Sequence, residues 1–441
     1  MEKSNEEKIT QFPTVNQNAA GIDIGAEKIF VSVDGITVEN FRTFTSDYQK
    51  CIDYLKESRI QQVAMEATGV YWIAFHEMLE EAGIEVCLVN PKETGQVKGR
   101  KSDVRDCQWI QKLFSAGLIR QSYVPKGKLK ELRLMVRERL DMIEMGSTYV
   151  NKMQRALELM NIKLTSVISQ IQGSSGLRMI KAILNGERDT NKLLALCDVR
   201  IIKSKSEDIL KALEGNYNTT YLYMLRSSLQ MWELHEEALM NIDKKIEELL
   251  EDLNQDRSHI DDSNPEKSIR HHKPHIKNLH QKMLDMYGIN VSSLSGLNDY
   301  SLLRLVGETG AELSRFPTVK HFVSWCQLSP RHKQSGKFKK SLRVKTRSQA
   351  GQIFLESATS LLNSKHIAIG AFMRRIRAKK GSCIAIKAGA RKLAEAYYNL
   401  ITKGQQYVEQ GIVNYQNKLK EREQKLLIKL AVKHNLALIP I

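Results

Sequence analysis

Short runs in which apolar and polar positions alternate fill the first part of the chain, and spacings of three and four take over after about residue 127. The alternating part predicts strands at 20–24, 28–34 and 37–44, then a helix at 46–58, a strand at 61–65, a helix at 70–82, a strand at 85–89 and a helix at 102–116. The mainly polar stretch 1–17 before it reads as a disordered lead. In the helical part, residues 129–164 set apolar positions among many Arg, Lys and Glu and are expected to pack against the domain before them. The helix breaks near Gln172-Gly173-Ser174-Ser175-Gly176, and a later helical region carries Trp232, His235, Leu239, Ile242, Ile246, Leu249 and Leu253 at heptad spacing. About three repeats is the lower limit for a coiled coil, so a long core helix is the alternative, and His235 reads as a buried, register-setting residue.

Residues 254–281 turn polar and basic and read as a flexible linker. Their His271, His272, His275 and His280 have no cysteine beside them, which argues against zinc. Beyond 282 the text predicts an apolar helix through Tyr300 and Val306 ended by Gly307 or Gly310, a helix through Phe322 and Trp325, and a loop from Leu328 to Ser341. The expected division is therefore a lead at 1–17, an α/β domain with a trailing helix at 18–165, a helical region and basic linker at 166–281, an all-α domain at 282–404 and a C-terminal helical tail at 405–441.

Three strands in hairpin succession, followed by helix, strand, helix, strand and helix, match the order of an RNase H-like fold. That order gives the acids meaning. Asp23 lies between Ile22 and Ile24 and so faces the opposite side of the strand from them. Glu66 follows the predicted strand at 61–65, at the end where parallel strands present ligands. Ser102 is the expected N-cap of the next helix, and Asp103 and Asp106, three apart, share one face of its first turn. Acids at a helix start also complement the dipole, so the constellation rather than any single member points to chemistry. Carboxylate oxygens are the hard ligands that Mg²⁺ prefers, and three or four together can hold one or two ions against a phosphate.

With 42% hydrophobic and 27% charged residues, the 441-residue chain has globular proportions and room for two or three domains. It has no apolar run of about 18 residues, and its N-terminus is too polar for a signal peptide, so a soluble cytoplasmic protein with no membrane partner is expected. Six scattered cysteines without a CxxC pair are expected to be reduced. The net charge of +17 is local, because residues 331–403 hold eighteen Lys and Arg against only Glu356 and Glu395. Such a footprint fits a nucleic-acid partner. Its candidate phosphate contacts are Arg331, Lys333, Lys337, Lys339, Lys340, Arg343, Lys345, Arg347, Arg374, Arg375, Arg377, Lys379 and Lys380. Within the basic loop, Gly336 lets the backbone beside Ser335 approach a phosphate closely, although spacing alone marks only a loop.

The blocks Gly21-Ile22-Asp23-Ile24-Gly25, Met65-Glu66-Ala67-Thr68-Gly69, Asn90-Pro91, Lys101-Ser102-Asp103-Val104-Arg105-Asp106, Phe316-Pro317, Trp325, Leu328-Ser329-Pro330 and Gln334-Ser335-Gly336-Lys337 stand in this order along nearly the whole chain. In that order they resemble the bacterial insertion-sequence transposases that join an RuvC-like DEDD domain to a serine-containing transposase domain. The resemblance implies that Asp23, Glu66, Asp103 and Asp106 are the DEDD acids that hold Mg²⁺, and that Ser335 is the nucleophile that forms a covalent phosphoserine with DNA. It also implies a recombinase acting on donor and target DNA, guided by a noncoding bridge RNA or seekRNA, and working as a dimer or tetramer because several strands are cut in concert. The two halves of such a site are more than 200 residues apart in the chain, so they have to be assembled, by folding back or across subunits.

The chain departs from the family at the serine, where Ser-Gly-Gly or Ser-Ser-Gly is common. Here Gln334 precedes Ser335 and Gly336-Lys337 follows, which keeps Ser329 and Ser341 open as alternatives. The stretch Ser295-Gly296-Leu297-Asn298-Asp299 also lacks the Gly-Pro character of a helix-hairpin-helix turn. Two other classes stay open. One is an Mg-dependent DEDD endonuclease or junction resolvase that activates water and leaves free ends. The other is a non-catalytic nucleic-acid-binding protein whose acids are scattered on the surface.

Overall fold

The structure, a computed structural model, describes residues 13–67, 69–90, 102–119, 121–262, 266–336, 338–342, 348–365 and 367–434. The chain divides into two compact units at the Val124–Pro125 bond.

The first unit is built on five strands: β1 (Ala19–Ile24), β2 (Lys28–Ser32), β3 (Glu39–Arg42), β4 (Gln62–Glu66) and β5 (Glu85–Val89). Between and after them run α1 (Thr45–Glu57), α2 (Trp72–Glu81) and α3 (Asp103–Ser115). The sheet order is β3-β2-β1-β4-β5, with β1 antiparallel to β2, β2 to β3, and β1, β4 and β5 mutually parallel. This is consistent with the RNase H-like order expected from the element sequence. Alternation along the strands sorts the core into two layers. Ile22, Ile24, Val63, Met65 and Leu88 face one side and pack with Ile52 and Leu55 of α1 and Phe75 and Leu79 of α2. Ala19, Ala64, Cys87 and Val89 face the other side and pack with Ile110 and Phe114 of α3. Each of the larger apolar side chains buried here contributes roughly 1.5–3 kcal/mol.

Of the expected disordered lead, residues 1–12 lie outside the described residues. Val15 and Asn16 are tied to the end of α3, since both backbone amides donate to Ser115 O at 2.7 and 3.0 Å and the Asn16 amide side chain donates to Phe114 O at 2.7 Å.

The second unit is mainly helical. It begins with α4 (Lys128–Leu159), α5 (Leu164–Val167), α6 (Ser174–Leu184), α7 (Thr190–Ala195), α8 (Val199–Ala212) and α9 (Thr219–Asn254). The helix α4, expected to trail the first domain, belongs to this unit and runs antiparallel to α9. Lys128 pairs with Asp252 at 2.8 Å, Arg139 with Asp243 at 2.5 Å, and the His235 ring fills the space beside Gly146, so the register advances one way on α4 and the other way on α9. The heptad seam of α9 is thus covered by the chain's own α4, and His235 is buried in it as expected.

The stretch after α9, expected to be a flexible linker, is strapped to these helices. Its residues 263–265 lie outside the described residues, but Ile269 and Ile276 are buried in the unit's core. Asp243, 0% exposed, accepts from the His275 amide at 2.8 Å, and Arg139, 1% exposed, donates to His272 O at 3.2 Å. The Arg139 guanidinium also lies 4.9 Å from the centre of the Tyr300 ring. The strap sets few apolar residues against an ion pair that lies more than a hundred residues away in sequence at Arg139, so its own composition hides its docking.

The unit continues with α10 (Leu279–Tyr287), α11 (Asp299–Thr309), α12 (Val319–Trp325), the strands β6 (Arg331–Ser335) and β7 (Phe338–Leu342), then α13 (Gln349–Leu361), α14 (Ala368–Lys380), α15 (Ser382–Lys403) and α16 (Gln405–Lys433). Gly310, at φ +73°, ends α11. Phe322, Phe354 and Tyr397 form the aromatic centre of α12, α13 and α15, with ring centroids 5.5–6.1 Å apart. The all-α expectation for 282–404 is corrected by β6 and β7, a two-stranded hairpin in place of the predicted loop. No helix among the described residues is long and apolar enough to cross a membrane.

Candidate active site

Asp23 reaches its place through the alternation of β1. Its neighbours Ile22 and Ile24 enter the core under α1 and α2, so Asp23 shares the α3 side of the sheet with Ala19 and Gly21. The parallel ladder pairs Ile22 with Met65, one residue before Asp23 and Glu66 respectively. Both acids therefore sit at the same level on neighbouring strands and on the same face, and both are half-buried. Glu66 is the last residue of β4 rather than just past it.

The other two acids arrive on α3. Ser102 is its N-cap, in extended conformation, and its hydroxyl accepts from the Arg105 amide at 3.4 Å. Asp103 is exposed, whereas Asp106 is half-buried. Next to Asp106, the fully buried Cys107 reports on its surroundings. Burial, and after it the charge of Asp23, pushes the Cys107 thiol up to about 12, and Asp106 adds to the same effect. Asp23 and Asp106 are thus both within electrostatic reach of one buried thiol. Among the described residues no three His, Cys, Asp or Glu side chains converge closely enough to hold a metal ion. The acids share one face and one end of the sheet without forming a closed ligand set. Their chemistry, hard carboxylate oxygens on a rigid scaffold, fits a divalent cation. Of the four histidines noted in the sequence, His280 lies in the first turn of α10 and meets Asp299 through Nδ1 at 3.0 Å.

Ser335 ends β6, and its Cα partner across the hairpin is Phe338. Gly336, at φ +57°, supplies the left-handed backbone that a two-residue hairpin connection requires. Of the alternatives, Ser341 pairs with His332, farther along the ladder, and Ser329 precedes β6 and is half-buried.

The basic residues separate into groups. Lys337, Arg343, Lys345 and Arg347 lie outside the described residues, and Arg331, Lys333 and Lys339 are placed by backbone alone in β6 and β7. Lys340 is exposed, as are Arg375, Arg377, Lys379 and Lys380 on α14. Arg374 is committed within the protein, donating to the Ser364 and Lys365 carbonyls, and Arg377 donates to Asn363 Oδ1 at 2.9 Å.

The sheet thus presents Asp23 and Glu66 at the end where parallel strands offer groups to a ligand. Comparison with protein-family models makes the class specific. Residues 20–162 match the DEDD domain model of the IS110 elements, described as Transposase, and residues 290–372 match Transposase IS116/IS110/IS902 family. The two spans cover just over half of the chain and fall in the segments that carry the acids and the serine. The chain belongs to the IS110 family of transposases, enzymes that act on DNA. No curated protein matches it. Sequence reasoning quoted Gly21 only as part of the strand block and missed its partners Cys107 and Gln111, whose backbone joins α3 to β1 there.

Proposed function

We propose that this transposase is an RNA-guided DNA recombinase that cuts and rejoins strands through Ser335, with Asp23, Glu66, Asp103 and Asp106 as the residues that would hold Mg²⁺. The observation that supports it most is that Asp23 and Glu66 stand at the same level on one face of neighbouring strands, and that the helix whose first turn carries Asp106 packs on that same face. Magnesium, when bound, supplies Lewis-acid polarisation of a phosphate oxygen and offsets the charge that develops there. The chain's own groups do the rest. Ser335 Oγ attacks the phosphorus, so that an Oγ–P bond forms while the P–O bond to the leaving deoxyribose oxygen breaks. The serine proton goes to a carboxylate or to solvent, and the leaving oxygen takes up a proton. Rejoining is the reverse, with a DNA hydroxyl displacing the serine. The exposed cations hold phosphates without reading bases, which leaves sequence choice to pairing with a noncoding RNA. Concerted cutting of several strands calls for a homo-oligomer, a dimer or tetramer.

The test is the product formed on DNA carrying the ends of the element. Wild type is expected to yield a denaturant-resistant protein–DNA adduct that forms with Ser341→Ala but not with Ser335→Ala. Free ends with no adduct from wild type would instead establish the endonuclease in which water replaces serine.

A further inference from the structure

Glycine in the middle of a strand weakens it, and Gly21 stands in β1 between the fully buried Ala20 and Ile22. Its φ is not in the left-handed region, so backbone conformation does not call for it. Packing does. A Cβ at this position would lie 2.3 Å from Gln111 N, 2.4 Å from Cys107 O and 2.8 Å from Gln111 Cα. All three are backbone atoms of α3, with no flexible end to swing aside, so a side chain here has to drive the helix and the strand apart. Gln111 reinforces the contact from its own side: it is buried, and its Nε2 donates to Ala19 O at 3.2 Å and to Ser115 Oγ at 2.9 Å.

The place of this contact gives it a consequence. Along β1, Asp23 follows Gly21 by two residues and faces the same side. Along α3, Asp106 precedes Cys107 by one residue and Asp103 precedes it by four. The spacing between Gly21 and α3 therefore fixes how near the first-turn acids come to Asp23. We propose that Gly21 is a positioning residue that sets this gap and, through it, the preference of the carboxylates for a small cation. The inference rests on the reading of these acids as metal ligands. Mg²⁺ demands short bonds in near-ideal octahedral geometry, whereas larger cations tolerate a looser cage. A widened gap should thus penalise Mg²⁺ more than Mn²⁺.

The experiment measures Mg²⁺ and Mn²⁺ binding to the full chain by calorimetry, beside thermal melts, for wild type, Gly21→Ala, Phe114→Ala and Asp23→Asn. Gly21→Ala is expected to weaken Mg²⁺ binding about 10-fold or more and Mn²⁺ binding clearly less, the scale typical of groups that orient metal ligands. Phe114→Ala loosens the same helix at its far end without wedging it outward and should leave the ratio of the two affinities unchanged. If Gly21→Ala does not fold, Ile110→Phe wedges the same interface from the helix side and should give the same change in ratio. Unchanged Mg²⁺ and Mn²⁺ affinities in the folded wedge variant, or an equal change of ratio in Phe114→Ala, would overturn the role of Gly21. Wild-type Mg²⁺ binding by Asp23→Asn would instead remove the carboxylate reading beneath it.

Discussion

The acids and the serine are carried by supports of opposite kinds. Asp23 and Glu66 stand on neighbouring central strands of a five-stranded sheet whose two faces are both covered by helices. Ser335 stands on a two-stranded hairpin, a unit that is at best marginally stable by itself. The helices before and after it, α12 and α13, pack directly on each other: a Cβ on Gly351, in the first turn of α13, would lie 2.1 Å from the carbonyl oxygen of Cys326, just after α12. The difference matches the chemistry proposed for each. Ligands for a small cation need a support that does not yield, whereas a nucleophile that forms and releases a bond to DNA can sit on an element that adjusts.

The largest effects should come from the rigid side. Asp23→Asn, Glu66→Gln and Asp106→Asn each keep size and remove the charge a metal ligand needs, and each is expected to lower strand cleavage by about 10³-fold or more. Asp103, exposed on the same turn, should matter less. Cleavage assays over a range of Mg²⁺ concentrations check this, and near-normal activity of Asp23→Asn would break the contrast between the two supports.

The next effect separates stability from chemistry in the second unit. Arg139 and Asp243 are a buried ion pair, and Asp243→Ala leaves a buried guanidinium without its main partner. Loss of one partner of such a pair costs about 3–5 kcal/mol, while replacement of both by apolar residues of similar volume costs far less. Chemical denaturation of Asp243→Ala and of Arg139→Met/Asp243→Leu should show this order. Equal destabilisation by the two would mean that the strap, not the ion pair, holds the region together. A smaller change is expected at the hairpin. Gly336→Ala places a side chain at φ +57°, a strain of about 1–2 kcal/mol, and should reduce adduct formation without altering the thermal unfolding of the rest of the unit.

What the chain shows before folding follows the range of the forces involved. The strands and helices of the first unit emerge within about two residues of their observed ends, because alternation and the Ser102 cap are local signals. The β6–β7 hairpin escaped notice because Arg331 to Leu342 is mostly cationic and polar and has no apolar alternation. Docking of the strap and close packing at Gly21 depend on partners about a hundred residues distant, Arg139 for His272 and Gln111 for Gly21, and no local pattern announces either.

The smallest effect per residue, and the last way to sharpen the comparison, lies in the basic surface of α14. Composition makes Arg374, Arg375 and Arg377 equivalent cations, but the structure does not. Arg374 is committed to two backbone carbonyls at the end of α13, and Arg377 has Asn363. Arg375, Lys379 and Lys380 are exposed and better placed to meet phosphates. On duplex DNA, log K falls by ~0.9 per log unit of salt for each phosphate neutralised. Reversing Arg375, Lys379 and Lys380 together should therefore flatten the salt dependence by up to about three units, uniformly over DNA sequences. Arg374→Glu should instead lower the melting temperature and leave the slope nearly unchanged, since its donors already have partners inside the protein. Titrations at several salt concentrations check both halves of this prediction. An unchanged slope in the triple variant would move the phosphate contacts off α14, leaving the basic hairpin as the remaining candidate surface.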